Sequence, residues 1–166
     1  GGFMGLLLVT APCGKEEAAK LEVLDCIFHA DSEASFIPHG YMGLLLLKTR
    51  LSSDEAAALV RDCPTAYVHR IVPVDLMIES DLTSIIEAVL RLMPKKPSKV
   101  RIECQRRGRF IRSSQEVESA VGSALKSLGH EVQMRSPQTV VRIDIIGEWT
   151  TISVGPPERF AKKLRG

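Results

Sequence analysis

No stretch of this chain approaches the roughly 20 consecutive apolar residues that a helical membrane span requires. The opening residues, GGFMGLLLVT, have a short apolar run with no basic segment ahead of it, so no secretory leader is expected. Cysteine occurs at Cys13, Cys26, Cys63 and Cys104, widely spaced and with no C-x-x-C pair, which argues against a structural zinc site. There is no G-x-x-x-x-G-K phosphate loop, no G-x-G-x-x-G turn, and no cluster of carboxylates or histidines. His29, His39, His69 and His130 sit at helix ends, on a turn or on a strand, and each reads as a surface or packing residue. Tandem repeats and low-complexity segments are missing as well. Catalysis needs a nucleophile, a base or a metal set in a pocket. None of these is visible, so neither catalytic residues, nor a metal, nor a cofactor is expected.

The cysteines that are present read as packing residues. Cys26 and Cys63 are expected on helix faces and Cys104 on the buried face of a strand, all three as small hydrophobes of a reducing compartment. Cys13 precedes a helix start at Lys15, but no histidine stands near it in sequence to complete a nucleophile, so it too reads as structural. With no address in view, the cytoplasm is the expected location.

With 166 residues, 45% hydrophobic and 25% charged, the chain has ordinary globular composition and enough apolar material for one domain or two small ones. Its charge is unevenly placed. Residues 95–112, KKPSKVRIECQRRGRFIR, hold eight Lys or Arg and a single acid, Glu103, a local charge of +7 in a protein of +2, so the remainder carries −5. Such a concentration is the footprint of an anion-binding surface. Within it, Val100, Ile102 and Cys104 alternate with Arg101, Glu103 and Gln105 at the period of a strand with one face in a core. A glycine-broken basic turn follows, with Arg106, Arg107, Arg109 and Arg112 around Phe110, and leads to Ser113 or Ser114 as a helix cap. Guanidinium forks beside free amides at a helix N-terminus suit phosphate oxygens. The plainer reading of a basic run, a charged edge that keeps a sheet from aggregating, stands beside that one.

Taken in order, residues 6–9 predict a central strand, and 15–28 a helix with its stripe on Ala18, Leu21, Leu24 and Phe28, widened by Val23 and Ile27. Residues 34–38 and 44–48 predict a hairpin around the turn at 39–43. Ser52 and Glu55 form a capping box for a helix that Pro64 ends, and 67–74 predict another strand. Strand, helix, strand, strand, helix, strand is the order of a ferredoxin-like βαββαβ domain. Its edge strands are the second and fourth, and those carry Pro38 and Pro73, as befits a residue that cannot donate to a ladder. After residue 74, Asp81 caps a helix on Leu82, Ile85, Ile86, Val89 and Met93. The basic strand comes next, then a helix capped by Ser113 with Val117, Val121, Leu125 and Leu128 inward, and strands at 131–134 and 139–146. Residues 149–154 are expected to be a last edge strand, and the basic tail, PPERFAKKLRG, shows nothing to pack against. The fold class is thus α/β of the α+β kind, with domains at 1–74 and 75–155 and a tail at 156–166.

The runs RIECQRRGRFIRSSQEV, SALKSLGHEVQMRSP and VVRIDIIGEWTTISV resemble a THUMP domain, the RNA-binding module of tRNA 4-thiouridine synthases, tRNA methyltransferases and pseudouridine synthases. The half before them is similar to the ferredoxin-like domain that accompanies THUMP in several of these proteins. RRG at 106–108 followed by SS at 113 and 114 looks most like the stand-alone adaptor branch that assists tRNA cytidine N4-acetylation. The resemblance implies a protein that binds the acceptor end of tRNA, is not itself an enzyme, and has a modifying enzyme, an acetyltransferase, as its partner. The second implied reading is the RNA-binding half of a methyltransferase or 4-thiouridine synthase. The positions matching the basic turn are Arg106, Arg107, Arg109 and Arg112, with Lys95, Lys96 and Lys99 before it, Arg135 after it, and Lys15 in the first half. His39 and Tyr41 could touch RNA, although a polar turn with a half-buried ring explains them as well. Arg135 and Arg142, expected on later strands, could each equally be a lone surface arginine.

Overall fold

The apolar runs LLLV and LLLL become neighbouring central strands because their side chains are buried on both sides of the sheet. Leu7, Leu8, Leu45 and Leu47 are all essentially inaccessible to solvent. The computed structural model describes residues 5–163. Of these, residues 5–74 together with 159–163 form one compact unit, and residues 75–158 form a second.

In the first unit, β1 (Gly5–Thr10), α1 (Glu16–Ile27), β2 (Ser35–Phe36), β3 (Leu44–Thr49), α2 (Ser53–Asp62) and β4 (Ile71–Val74) follow one another. The sheet order is β2-β3-β1-β4, with antiparallel pairing throughout. This is the ferredoxin-like arrangement, and Pro73 lies in an edge strand, opposite Leu7. Pro38 falls just beyond β2, which is shorter than its sequence suggests. Gly5 fits where another residue would not, because a Cβ there would lie 2.4 Å from the Leu51 carbonyl oxygen. Ser53 then ties the strand ends to α2: the Leu6 N–H donates to its Oγ at 3.1 Å, and that hydroxyl donates to the Val74 carbonyl at 2.7 Å.

Three expectations for this unit change. Helix α1 turns Ala19, Val23 and Ile27 inward, whereas Leu21 and Phe28 of the expected stripe are 66% and 59% exposed. Both rows have helical spacing, and packing on the sheet chose the row with the smaller and β-branched side chains. Cys26 and Cys63 are not separate packing residues but a disulfide, since the last turn of α1 and the C-cap of α2 lie side by side with Cα atoms 5.8 Å apart. The tail that showed nothing to pack against is anchored on α2 instead. Arg159 Nε donates to Asp54 at 2.9 Å, Lys163 Nζ donates to the carbonyls of Val60 and Cys63, and Phe160 is buried. Carbonyls at the end of a helix have no intrahelical donor, which is what makes them receptive to the lysine.

The second unit runs β5 (Leu76–Glu79), α3 (Leu82–Leu92), β6 (Lys99–Arg107), α4 (Ser114–Ser127), β7 (Glu131–Val132), β8 (Thr139–Ile146) and β9 (Trp149–Gly155). Its sheet order is β5-β9-β8-β6-β7, with β6 parallel to β7 and β8 and the other pairs antiparallel. The short strand β5, in a stretch for which the sequence predicts no element, pairs with the outer side of β9, so β9 is internal and β5 is the edge. Helices α3 and α4 bury Ile85, Val89, Val117, Val121 and Leu125 against Val100, Ile102, Val141 and Ile143 of the sheet. Leu128, the last member of the expected α4 stripe, is 57% exposed because it is the C-cap, past the helix proper.

Candidate nucleic-acid interface

Strand β6 carries the basic stretch out of the core. Its alternation sends Val100 and Ile102 into the helix-covered core, while Arg101, Glu103 and Arg107 point to the other face of the sheet. On that face they meet β8, where Glu103 pairs in register with Arg142 and Gln105 with Asp144. The result is a ladder of charges. Arg101 Nε donates to Glu103 at 2.9 Å, Arg142 Nη1 to Glu103 at 3.3 Å, Arg142 Nε and Nη2 to Asp144 at 2.8 Å each, and Arg107 Nη1 to Asp144 at 3.1 Å. Arg142 is therefore a buried member of a network rather than a lone surface arginine, and Asp144 is wholly buried beside it. Burial by itself would pull the Arg142 guanidinium down, but the bidentate Asp144 carboxylate and Glu103 outweigh it and hold its pKa above the ordinary value. Cys104 faces the opposite way. Burial, then the nearby acids Glu118 and Asp144, push its thiol up to about 12, which leaves it a packing residue.

The four arginines of the turn have different tasks. Arg107 is tied to Asp144, and its side chain is mostly buried. Arg106 bends over the turn, donating from Nη1 to the carbonyls of Gly108 at 3.1 Å and Ile111 at 3.2 Å. Gly108 sits at φ 91°, a conformation that side chains other than glycine's rarely tolerate, and Ile111 is buried at the far side of the bend. Between those anchors Arg109 and Phe110 project from the turn, with Arg112 just beyond, all three exposed. Helix α4 then starts, with Ser113 Oγ accepting from the Glu116 N–H at 3.1 Å. A cleft of about 240 Å³ opens here, lined by Ser80, Asp81, Leu82, Phe110, Ile111, Arg112 and Glu116.

The remaining sequence-predicted residues lie elsewhere. Lys95 and Lys96 are exposed in the loop before β6, and Lys99 is its first residue. Arg135 is exposed in the loop after β7 and joins them, because that loop returns to the same strand end through a bond from the Gln138 N–H to the Lys99 carbonyl at 2.8 Å. Strand β6 is nine residues long. At about 3.3 Å per residue its ends lie roughly 25 Å apart, so the lysine cluster and the arginine turn are two separate basic sites. The arginine turn is at the carboxyl ends of the parallel strands β6 and β8, the end at which α/β sheets commonly hold ligands. Lys15 lies in the first unit, its ammonium 5.3 Å from the Tyr67 ring centre. There too, the rings of His39 and Tyr41 stack on each other at 6.2 Å, and His39 Nδ1 accepts from the Tyr41 N–H, so the pair holds its own turn together. His130 is buried and accepts from the Ser98 N–H, a packing role. Among the described residues no three His, Cys, Asp or Glu come together as a metal site, and no helix is long and apolar enough to cross a membrane.

Sequence reasoning did not find the ladder. The available signal was Asp144, a carboxylate between Ile143 and Ile145 in an otherwise buried strand, which obliges a partner to be present.

Comparison with known proteins bears on the second unit most directly. An uncharacterized protein of Methanocaldococcus jannaschii is 24% identical over 128 residues, 75% of this chain and 34% of the relative, so the chain spans about a third of that protein's length. Among solved structures, PH1313 from Pyrococcus horikoshii superposes with a TM-score of 0.72 at 20% identity, covering 96% of this chain and 55% of that one. TrmN from Thermus thermophilus gives 0.67 at 22% identity, covering 94% and 46%. A 4-thiouridine synthetase, solved with RNA and bound ATP, gives 0.59 at 10% identity, covering 92% and 42%. At such identities the likeness is one of fold. The family match is of another kind, since it follows sequence and runs over residues 79–155, from the end of β5 to the end of β9. That span of this chain is a THUMP domain.

Proposed function

We propose that the chain binds tRNA at its acceptor end and presents it to a separate modifying enzyme, an acetyltransferase acting on cytidine N4, without performing the chemistry itself. The observation that carries this reading is the turn at 108–112, where Arg109 and Arg112 are exposed on a rigid bend of a THUMP domain, free to meet phosphates while their neighbours hold the bend in place. Arg106 shapes that surface, Arg107 supports it from the ladder, and Lys95, Lys96, Lys99 and Arg135 form a second contact on the same RNA. Lys15 belongs to a further contact in the first unit, and the cytoplasm is the compartment this role requires. A second reading has support in the names of two structural neighbours, TrmN and a 4-thiouridine synthetase, and in the chain's spanning less than two thirds of its relatives. In it, these residues are the RNA-binding part of a larger tRNA methyltransferase or thiouridine synthase.

The deciding experiment combines tRNA binding by gel shift with tRNA acetylation by a purified acetyltransferase from the same source, with and without this chain. The adaptor reading expects a shift, acetylation that depends on both proteins, and no modification by the chain alone with acetyl or methyl donors. A shift without stimulation turns the conclusion to the second reading. Absence of a shift at low salt rejects both.

A further inference from the structure

Phe110 is 64% exposed on a turn that does not need it. The bend is closed by the Arg106 guanidinium on the Gly108 and Ile111 carbonyls and anchored by the buried Ile111 side chain, so Phe110 makes no evident contribution to its shape. Single exposed apolar residues are common on proteins, but this one lies between Arg109 and Arg112 and forms a wall of the 240 Å³ cleft at the start of α4. The other walls decide what that cleft accepts. Asp81 and Glu116 put two carboxylates there, and Asp81 is already engaged by the Ser84 N–H and hydroxyl. A phosphate entering the cleft would meet negative charge, which works against the anion capture that the helix N-terminus alone would suggest. A flat, neutral ring meets no such penalty, and the arginines on either side are placed for the charges attached to it.

We propose that Phe110 is the stacking platform for one unpaired base of the bound RNA, the base entering the cleft and its flanking phosphates meeting Arg109 and Arg112. The inference rests on the RNA-binding reading above and adds to it a residue and a requirement. Only an unpaired nucleotide can offer its face to the ring, because bases within a duplex are stacked on each other and out of reach of side chains.

The test uses the full chain with a short labelled single-stranded RNA, and the same RNA annealed to its complement, followed by fluorescence anisotropy over a range of salt. Phe110→Ala is expected to weaken binding of the single strand by about tenfold. It should leave the duplex affinity and the salt dependence unchanged, since no phosphate contact is lost. Phe110→Trp, made in a Trp149→Phe background so that it is the one tryptophan, is expected to bind like the parent and to lose fluorescence on adding the single strand but not the duplex. It also serves as the reporter if the alanine variant folds poorly. Unchanged single-strand binding by Phe110→Ala, an equal loss on duplex, or an unquenched tryptophan overturns the stacking role while RNA binding stands. A parent protein that binds neither RNA overturns the RNA-binding reading itself, and the stacking role with it.

Discussion

Each unit buries a carboxylate, and the two do it differently. In the first, Asp31 is satisfied mostly by the backbone: its carboxylate accepts from the Arg50 N–H at 2.8 Å, the Thr49 hydroxyl at 2.7 Å and the Glu33 N–H at 3.0 Å. In the second, Asp144 is held by two guanidiniums, those of Arg142 and Arg107, on neighbouring strands. Asp31 fixes one loop to one strand end. Asp144 orders two arginines, and through Arg107 it sets the strand from which the basic turn projects. Two adjacent arginines in sequence, Arg106 and Arg107, are therefore both committed to structure, while Arg109 and Arg112 are left for a ligand.

The largest expected effect is on the ladder. Asp144→Ala leaves the Arg142 charge buried without its bidentate partner and should cost about 3–5 kcal/mol, read as a lower urea midpoint. A change within experimental error would mean that the ladder is dispensable and that the contrast between the units is not one of stability. Next in size, Cys26→Ser breaks the cross-link that spans 37 residues in the first unit and should cost roughly 2–4 kcal/mol under oxidising conditions. The same variant compared after reduction should show no difference, and thiol counting on the denatured parent should find two free thiols, Cys13 and Cys104, before reduction.

Asp31 offers a smaller, pH-dependent effect. The Arg50 amide, assisted by the Thr49 hydroxyl and working against burial, holds its carboxyl below the ordinary carboxylate value. A depressed folded pKa gives stability that is present above the unfolded pKa and lost as the pH falls through the folded one. Asp31→Asn should thus destabilise the protein at neutral pH by about 1–3 kcal/mol and narrow its gap from the parent in acid. A gap of constant size down to pH 3 would show that the aspartate acts by shape and not by charge. The smallest effect on stability, and the one that sharpens the comparison most, is that of the exposed arginines. Arg109→Ala with Arg112→Ala should flatten the plot of log K for tRNA against log salt by about 1.4 to 1.8 if each touches one phosphate, and should change stability by no more than about 0.5 kcal/mol. Arg107→Ala should do the reverse, lowering the melting point while leaving the slope. Equal slopes for the two variants would erase the division of labour within the turn.

Much of the architecture was legible in the sequence because it depends on near neighbours along the chain. The runs at 6–9 and 44–47 could only be covered strands, Ser52 with Glu55 caps one helix and Asp81 another, and Pro73 marks an edge. The basic stretch and its strand period were legible for the same reason. Where helical spacing admitted two stripes, as on α1, periodicity could not choose between Leu21 and Val23, and packing on the sheet did. The short strand β5 carries too few residues to announce itself, and its existence depends on the free side of β9.

What only the tertiary structure decided is which partner each charge and each cysteine found. Arg142 meets Glu103 across 39 positions of sequence, and Cys26 meets Cys63 across 37. Those meetings follow from the parallel register of β6 on β8 and from the packing of α1 beside α2, and a shift of one residue in that register would send Asp144 into the apolar face under the helices. Sequence determines that residues 95–112 are basic. Register, by removing Arg107 into an ion pair and leaving Arg109 and Arg112 exposed, determines which of those charges a ligand can reach.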